Sequence, residues 1–306
     1  MMRGSSRQER SQQGHASGGS FFGVDIQILA VPYDSGHRGL RMGAGPEALL
    51  RAGLEQSLKQ RGHSVNVKIA ELPEGSWQAE IQTAFDLMRM LAVAVRDART
   101  AGKLPIILAG NCNTAVGTIA GLGADATGVA WFDAHGDFNT PDTTRSGFLD
   151  GTAVAIITGR AWRQLALTVP GFQVVPDNRV CLIGTRDLDT LEEGVLGSSS
   201  VDVVAPRTLK ANLPRALQSI GEHVEQIYVH LDLDVLDVAV APANHFAVGG
   251  GLTLDDVEYA LSTIARELRI AGITLSAYDP SADTNGDAAR AAIRLVCAAA
   301  ELAGEP

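Results

Sequence analysis

The order of hydrophobic and polar positions along the chain predicts alternating strands and helices. Short, nearly continuous apolar runs are typical of strands buried on both faces, and longer stretches show apolar residues at helical spacing. This alternation indicates an α/β fold, with a mostly parallel sheet covered by helices on both faces. The predicted strands are Asp25–Val31, Val65–Ala70, Pro105–Ala109, Gly128–Asp133, Arg179–Gly184, Gln226–Asp234 and Ile273–Asp279, and the predicted helices lie near Gly45–Gln60, Ala79–Ala101, Leu254–Leu268 and Gly286–Ala303.

Two acidic clusters, Trp131–Asp137 and Val229–Asp237, each close one of these predicted strands. Carboxylates two positions apart on a strand point to opposite faces, so they converge only where the strand ends in a loop. Several buried, ionised carboxylates require a cation, and carboxylates with one imidazole, here His135, suit a divalent ion such as Mn²⁺. A strand that ends in Asp-x-Asp is also typical of a turn or a helix cap, which is the alternative interpretation.

Further polar segments follow other predicted strands. Gly110–Asn113 follows Pro105–Ala109, and Thr185–Asp189 follows Arg179–Gly184. Ligands of parallel sheets bind beyond the carboxyl ends of the strands. We therefore expect these polar strand ends to share one cleft with the acidic clusters. The stretch Phe138–Ala155, which is rich in Thr, Gly, Ser and Asp, is interpreted as an active-site loop.

The composition favours a soluble enzyme and argues against nucleic-acid or membrane partners. The 306 residues are 45% hydrophobic and carry a formal net charge of −10, and the 25 Lys and Arg residues are scattered. The apolar stretches have the length of strands, not the ~18 residues or more that span a bilayer. Cys112, Cys181 and Cys297 are odd in number and widely spaced, which argues against a disulfide framework and favours a reducing cytoplasm.

Residues 1–21 are predicted to be a disordered tail, and residues 22–306 are predicted to form a single domain. The tail is rich in Ser, Gln, Gly and Arg and lacks the apolar region of a secretory signal; organelle targeting is the alternative interpretation. The rest of the chain has no internal repeat and no break in composition. It also lacks G-x-G-x-x-G after a strand and G-x-S-x-G, which argues against a dinucleotide enzyme and a serine hydrolase.

The two acidic clusters together resemble the ureohydrolase family, which includes arginase and agmatinase. The chain carries Asp-Ala-His-Gly-Asp at 133–137 and Asp-Leu-Asp-Val-Leu-Asp at 232–237. It is similar to the family also at Gly43–Pro46, Asn139–Gly151 and Gly249–Thr253. The resemblance implies a three-layer αβα sandwich, two Mn²⁺ ions bridged by carboxylates and a hydroxide, a small guanidino or amidino substrate, and a homo-oligomer.

The resemblance also implies a role for each acid. Asp133 and Asp232 would bridge the two ions. His135 and Asp234 would complete the ligands of one ion, and Asp137 would bind the other. The hydroxide would attack the planar guanidinium or amidine carbon, and Asp137 would pass a proton to the departing amine.

Candidate substrate contacts follow from the same resemblance. Asn139 and Ser146 occupy positions that in arginases hold the α-carboxylate of the amino acid, and Asp189 matches a residue that faces the α-amino group. Each of these three residues is also typical of loop or cap hydrogen bonding, which is the alternative for each. Together they favour an α-amino acid over a decarboxylated amine such as agmatine.

The chain departs from the family pattern at three positions, so it is interpreted as an atypical member. Cys112 replaces a His that binds one ion; a thiolate favours zinc or iron over manganese, and a buried, uncoordinated Cys112 is the alternative. Asp150 replaces a His that shuttles protons, and it would relay a proton or bind a cationic substrate. Ala277 replaces the Glu that binds the guanidinium group. His245 is a candidate proton carrier or substrate contact, with an exposed loop residue of no role as the alternative.

Two hypotheses about function follow. The first is metal-dependent hydrolysis of a guanidino or linear amidine C–N bond in an arginine-like amino acid, with one or two Mn²⁺ ions as cofactor. The second is a ureohydrolase-like protein that has lost catalysis and serves as a binding or regulatory subunit, because three family residues are replaced. A metal that binds only the folded state raises its stability, so metal content and thermal stability separate the two hypotheses.

Overall fold

A central sheet runs through the part of the chain that the computed structural model describes, residues 23–73 and 79–304. The strands are β1 (Asp25–Val31), β2 (Tyr33–Asp34), β3 (His37–Arg38), β4 (Ser64–Ile69), β5 (Leu104–Ala109), β6 (Thr127–Phe132), β7 (Val180–Ile183), β8 (Asp202–Val204), β9 (Gln226–Asp232) and β10 (Arg269–Ser276). Eight of them form one sheet in the order β4-β1-β5-β10-β9-β6-β7-β8, and all neighbours are parallel. β2 and β3 form a short antiparallel hairpin. The predicted parallel sheet is confirmed.

Helices cover both faces of this sheet. They are α1 (Gly45–Arg51), α2 (Leu54–Gln60), α3 (Glu80–Thr100), α4 (Ala115–Leu122), α5 (Ala153–Ile157), α6 (Arg163–Ala166), α7 (Thr190–Gly197), α8 (Leu209–Gly221), α9 (Leu254–Glu267) and α10 (Asp287–Ala303). One hydrophobic core joins the sheet to α1, α2, α8, α9 and α10, and a second core joins it to α3, α4 and α5. These layers confirm the αβα sandwich.

Burial on both faces explains the continuous apolar runs of the central strands. In β1, Ile28 belongs to one core and the next residue, Leu29, belongs to the other. Full burial of such a side chain contributes about 1.5–3 kcal/mol, so these runs favour the centre of the sheet. In the edge strand β4, by contrast, partly buried Val65 and Val67 alternate with exposed residues.

Some element bounds differ from the sequence prediction. The stretch Gly45–Gln60, predicted as one helix, forms α1 and α2, because Gly53 between them adopts the left-handed conformation with a φ of 98°. The strand predicted to end at Asp234 ends at Asp232, and a 3₁₀ turn follows. The helical periodicity does not predict α4, because all eight of its residues are buried and it has no polar face.

The predicted tail, residues 1–21, lies outside the described residues. The single domain predicted for residues 22–306 stays a prediction. The large sheet favours it, because this sheet includes both the first strand, β1, and the last strand, β10. Within the described part of the chain, no helix is both long enough and apolar enough to cross a membrane.

Candidate active site

The loops that follow the central strands meet in one cavity of about 280 Å³. The sheet is parallel, so the carboxyl ends of β5, β10, β9, β6 and β7 lie at the same edge. The register pairs Ser276 with Asp232. It also pairs Phe132 with Leu231, so Asp133 and Asp232, which follow them, lie at the same height along their neighbouring strands. The cavity is lined by Met42, His135, Asp137, Asn139, Ser146, Phe148, Asp150, Gly151, Asp187, Asp189, Glu192, Asp232, Asp234, Asn244, Phe246 and Ala277.

Three side chains beside the cavity, Asp133, His135 and Asp234, form what we call the histidine group. Their ligand atoms lie within 4.8 Å of one another. His135 Nδ1 lies 3.2 Å from Asp133 Oδ1 and 3.5 Å from Asp234 Oδ2. Burial lowers the pKa of His135, but the hydrogen bond to Asp133 and the surrounding negative charges outweigh burial and raise this pKa to about 10. Two carboxylates and an imidazole form a donor set that suits a hard or borderline divalent cation.

A second set, Cys112, Asp133 and Asp232, forms the cysteine group, which shares Asp133 with the histidine group. Its ligand atoms also lie within 4.8 Å of one another. The Cys112 thiol donates a hydrogen bond to Asp232 Oδ2 over 3.0 Å. Burial, followed by the charges of Asp232 and the other acids, raises the pKa of Cys112 well above its usual range. The thiol therefore keeps its proton unless a cation displaces it.

Local turns make acids two positions apart converge. Asp232 is the last residue of β9, and the chain passes directly into a 3₁₀ turn over Leu233–Val235. The Asp234 backbone N–H donates to Asp232 Oδ1 over 2.8 Å. After β6, the His135 backbone N–H donates to Asp133 Oδ1 over 2.7 Å in the same way. Each acid at a strand end thus fixes the backbone of a member of the histidine group, Asp133 that of His135 and Asp232 that of Asp234.

Asp137 contributes a buried carboxylate that has an oxygen without a partner. The residue lines the cavity, has a φ of 47° and is only 6% exposed. Among the described residues, none makes a hydrogen bond to its Oδ2. Burial and then the charge of Asp133 raise the pKa of Asp137 well above its usual range. A buried carboxylate oxygen without a partner is costly unless a cation or a proton satisfies it, so the residues present fit a divalent cation.

A chain of buried hydrogen bonds supports the cysteine group from behind. The Ser276 hydroxyl lies 3.2 Å from Cys112 Sγ and 3.0 Å from His230 Nε2. His230 Nδ1 lies 2.9 Å from the Tyr228 hydroxyl. The His230 ring stacks on Trp131 with 3.6 Å between the ring centroids, and burial lowers the pKa of His230 well below its usual range. The neutral His230, which stacks on Trp131, is therefore linked to the Cys112 thiol through the Ser276 hydroxyl.

Asp150 holds the turn that carries Cys112. Its Oδ1 accepts a hydrogen bond from the Asn113 backbone N–H over 2.8 Å, and its Oδ2 accepts one from the Asn111 amide over 3.0 Å. The same amide donates to Asp34 Oδ1 over 3.3 Å. Burial raises the pKa of Asp150 to about 7 against the effect of these hydrogen bonds. Asp150 lines the cavity, but both of its oxygens are engaged with the neighbouring turn.

The three predicted substrate contacts all line the cavity. The Asn139 amide donates to Asp189 Oδ2 over 3.3 Å. Ser146 is exposed, and its hydroxyl accepts a hydrogen bond from the Phe148 backbone N–H over 3.1 Å. The rings of Phe148 and Phe246 stack with their centroids 5.6 Å apart. The structure therefore brings the three polar residues together on a wall that also contains two aromatic rings.

Comparisons with known proteins bear on this arrangement. A sequence profile of the arginase family matches residues 24–301. The chain belongs to the arginase family. It is a ureohydrolase-type hydrolase. Arginase from Staphylococcus aureus is 28% identical over 291 residues, which cover 89% of this chain and 95% of that protein.

Solved structures show the same fold. The crystal structure of arginase from Bacillus cereus is 26% identical, with a TM-score of 0.82, and the match covers 92% of this chain and 99% of that one. The crystal structure of formimidoylglutamase from Bacillus subtilis is 18% identical, with a TM-score of 0.72, over 93% of this chain and 88% of that one. The second likeness shows a shared fold only.

Ala277 lines the cavity with a φ of 61°. Its carbonyl oxygen accepts a hydrogen bond from the Asn244 amide over 2.8 Å, and the same amide donates to Asp234 Oδ2 over 3.2 Å. His245 is outside the described cavity wall: its side chain is 72% exposed, and Nε2 lies 3.9 Å from Asp279 Oδ2. At this place the wall thus carries the methyl group of Ala277 and the amide of Asn244.

Glu192 and Arg186 position the site and are not among the site residues predicted from the sequence. Glu192 accepts hydrogen bonds from the Phe138 backbone N–H over 2.8 Å and from the Asp189 backbone N–H over 3.1 Å. The spacing Asp-x-x-Glu is a capping-box signature that identifies it. Arg186 has no such local signal, because its acceptors lie up to 63 positions away. It donates to the carbonyl oxygens of Gly184, Asp234, Val235, Leu236, Val248 and Gly249.

Proposed function

We propose that the protein hydrolyses a C–N bond of a guanidino or linear amidine group in an arginine-like amino acid, with one or two divalent ions, Mn²⁺ among them, as cofactor. The observation that carries the proposal is the pair of ligand groups that share Asp133 beside the unpartnered oxygen of Asp137. When bound, such ions lower the pKa of water to about 7, which makes hydroxide available near neutral pH.

The residues of the cavity support a cationic, planar substrate. Seven acidic side chains line the cavity, and no Lys or Arg is among its described lining residues. This wall attracts a guanidinium or amidinium group. Asp137 is the proposed proton carrier, because its unpartnered Oδ2 is free to take a proton and pass it to the departing amine. We assign Asp150 a positioning role instead, because both of its oxygens accept hydrogen bonds.

The proposed substrate is less basic than arginine. Asn139, Ser146 and Asp189 on the cavity wall support an α-amino acid, as the family resemblance implies. Ala277 lacks the carboxylate that would hold a guanidinium group, a contact that contributes about 1.5–3 kcal/mol when one partner is charged. An N-hydroxylated arginine or a formimino amino acid depends less on this contact. His245 is exposed, so any contact that it makes is with the outer part of a substrate.

The test is a substrate panel with added Mn²⁺: arginine, agmatine, N-hydroxyarginine and a formimino amino acid. We expect the last two to release a urea-type or formamide product faster than arginine. Ala277→Glu should raise arginine hydrolysis at least about tenfold, because a restored contact of about 1.5–3 kcal/mol corresponds to a factor of roughly 10 to 150. Ala239→Glu is the matched control, since Ala239 is exposed and does not line the cavity.

Two results contradict the proposal. Equal, unchanged arginine rates in wild type and Ala277→Glu would reject the substrate assignment. No product from any compound, in protein whose thermal stability Mn²⁺ does not change, would favour the binding or regulatory protein.

The family resemblance also leads us to propose a homo-oligomer, and the three widely spaced cysteines lead us to propose a reducing cytoplasm. Size-exclusion chromatography with light scattering tests the first part. A monomer over the whole concentration range would contradict it.

A further inference from the structure

Cys112 differs from the other cysteines in its surroundings. It lies on the 3₁₀ turn Cys112–Thr114 after β5, is 2% exposed, and its Sγ faces Asp232 Oδ2 at 3.0 Å and Ser276 Oγ at 3.2 Å. All three cysteines pack in a hydrophobic core, but of the three only Cys112 makes a hydrogen bond to a carboxylate among the described residues. A buried cysteine among apolar side chains behaves as a small hydrophobic residue, whereas a sulfur directed at carboxylates has the surroundings of a metal ligand.

A second observation at the same place points independently to a cation. The Oδ2 atom of Asp137 is buried and has no partner among the described residues, and Asp137 lines the same cavity as Asp232. The cysteine group itself holds two more carboxylates, those of Asp133 and Asp232, with ligand atoms within 4.8 Å of the sulfur. Two buried acids and a sulfur atom lie within 4.8 Å of one another, and a third buried acid lines the adjoining cavity; such a concentration of carboxylates favours a bound cation.

We propose that Cys112 is a thiolate ligand in the cysteine group, and that this group therefore selects a thiophilic divalent ion such as Zn²⁺ over Mn²⁺, while the histidine group accepts Mn²⁺. The inference rests on the metal-dependent part of the proposed function. The binding step is balanced: the Cys112 S–H bond breaks, the proton leaves to solvent, and the sulfur lone pair forms the bond to the ion. A thiolate is a soft donor, which is why it favours zinc over manganese.

The residues around the sulfur are arranged to hold it in place. Ser276 lies within hydrogen-bond distance of the sulfur, and His230 holds Ser276 from behind. Asp150 fixes the backbone of the turn through the Asn113 N–H. Outer partners of this kind orient a metal ligand, and their loss typically lowers metal affinity about 10- to 100-fold.

The test uses Co²⁺ as a spectroscopic probe and Zn²⁺ and Mn²⁺ as competitors, on full-length protein freed of metal with a chelator. We expect wild type to show a thiolate-to-cobalt charge-transfer band in the near ultraviolet. Cys112→Ser should lose this band and bind Zn²⁺ at least roughly tenfold more weakly, and Ser276→Ala should keep the band with a roughly tenfold weaker affinity. Cys181→Ser is the matched control, a buried thiol outside both ligand groups, and it should behave as wild type.

The outcomes separate this inference from the proposed function. Stoichiometric Co²⁺ without the charge-transfer band, and equal Zn²⁺ affinity in wild type and Cys112→Ser, would overturn the thiolate assignment and leave a metal-dependent hydrolase intact. No binding of any of the three ions would overturn both. If Cys112→Ser unfolds, the charge-transfer band of Cys112→Ala and the Zn²⁺ affinity of Ser276→Ala test the thiolate assignment in its place, because neither variant introduces a new polar group.

Discussion

The histidine group and the cysteine group share Asp133 but differ in how their third ligand is fixed. The His135 side chain is 29% exposed and lines the open cavity, and a hydrogen bond to an acid two positions earlier holds its backbone. Cys112 is 2% exposed, and its sulfur contacts residues from two other strands. The shallow ligand is thus positioned by local sequence, and the deep ligand is positioned by the packing of the sheet.

The largest expected effect comes from the residue that the two groups share. Asp133→Asn removes a ligand from both, and we expect kcat/KM to fall at least about a thousandfold, which corresponds to about 4 kcal/mol. Steady-state kinetics and elemental analysis measure it. Asp202→Asn makes the same chemical change on the edge strand β8 and should leave kcat/KM and the metal content unchanged. Full metal content in Asp133→Asn would show that the groups do not depend on this acid.

The pH dependence of Mn²⁺ binding sharpens the comparison for the histidine group. Without a cation the pKa of His135 is raised to about 10, so the ring is protonated at neutral pH and a cation must displace its proton. Affinity should therefore rise with pH, about tenfold per unit and about a hundredfold between pH 6 and 8. Isothermal titration calorimetry measures this. His135→Asn should lower the slope of log affinity against pH by about one, because one fewer proton is released on binding. An unchanged slope would rule out His135 as the ligand.

The turn beneath the cysteine group is tested by stability. Asn111→Asp places a third carboxylate beside Asp34 and Asp150, and we expect a loss of about 2 kcal/mol in the free energy of unfolding. Urea unfolding measures it. The double variant Asn111→Asp with Asp150→Asn should lose at least about 1 kcal/mol less unfolding free energy than the two single variants lose together, because the repulsion between positions 111 and 150 is removed. Simple additivity would mean that the two residues do not interact.

An ion pair away from both groups gives the smallest expected effect. Arg160 donates to both oxygens of Asp177 over 2.7 and 2.6 Å and lowers the pKa of that carboxyl. A lowered pKa means that the stabilisation is complete above the unfolded pKa of about 3.9 and is lost as pH falls through the folded value. Asp177→Asn should therefore cost about 1 kcal/mol at pH 7 and little at pH 2. A cost that does not depend on pH would contradict the ion pair.

The strands and the acids were predictable from the sequence because their signals are local. Apolar runs such as Gln226–Asp232 identify strands that are buried on both faces. Asp232 and Asp234 converge through a hydrogen bond between residues two positions apart, so the spacing of the two acids in the sequence is enough to predict their convergence. Helix α4 was not predictable in this way, because burial of all its residues removes the polar face that marks a helix.

The sequence by itself determined the alternation of strands and helices and the donor types of both ligand groups. The tertiary structure alone decided what surrounds each donor. Cys112 lies 120 positions from Asp232 and 164 positions from Ser276, and it meets them only because β5, β10 and β9 are neighbours in the sheet. Strand order depends on the combined burial of both helical layers, which no single segment of the chain specifies.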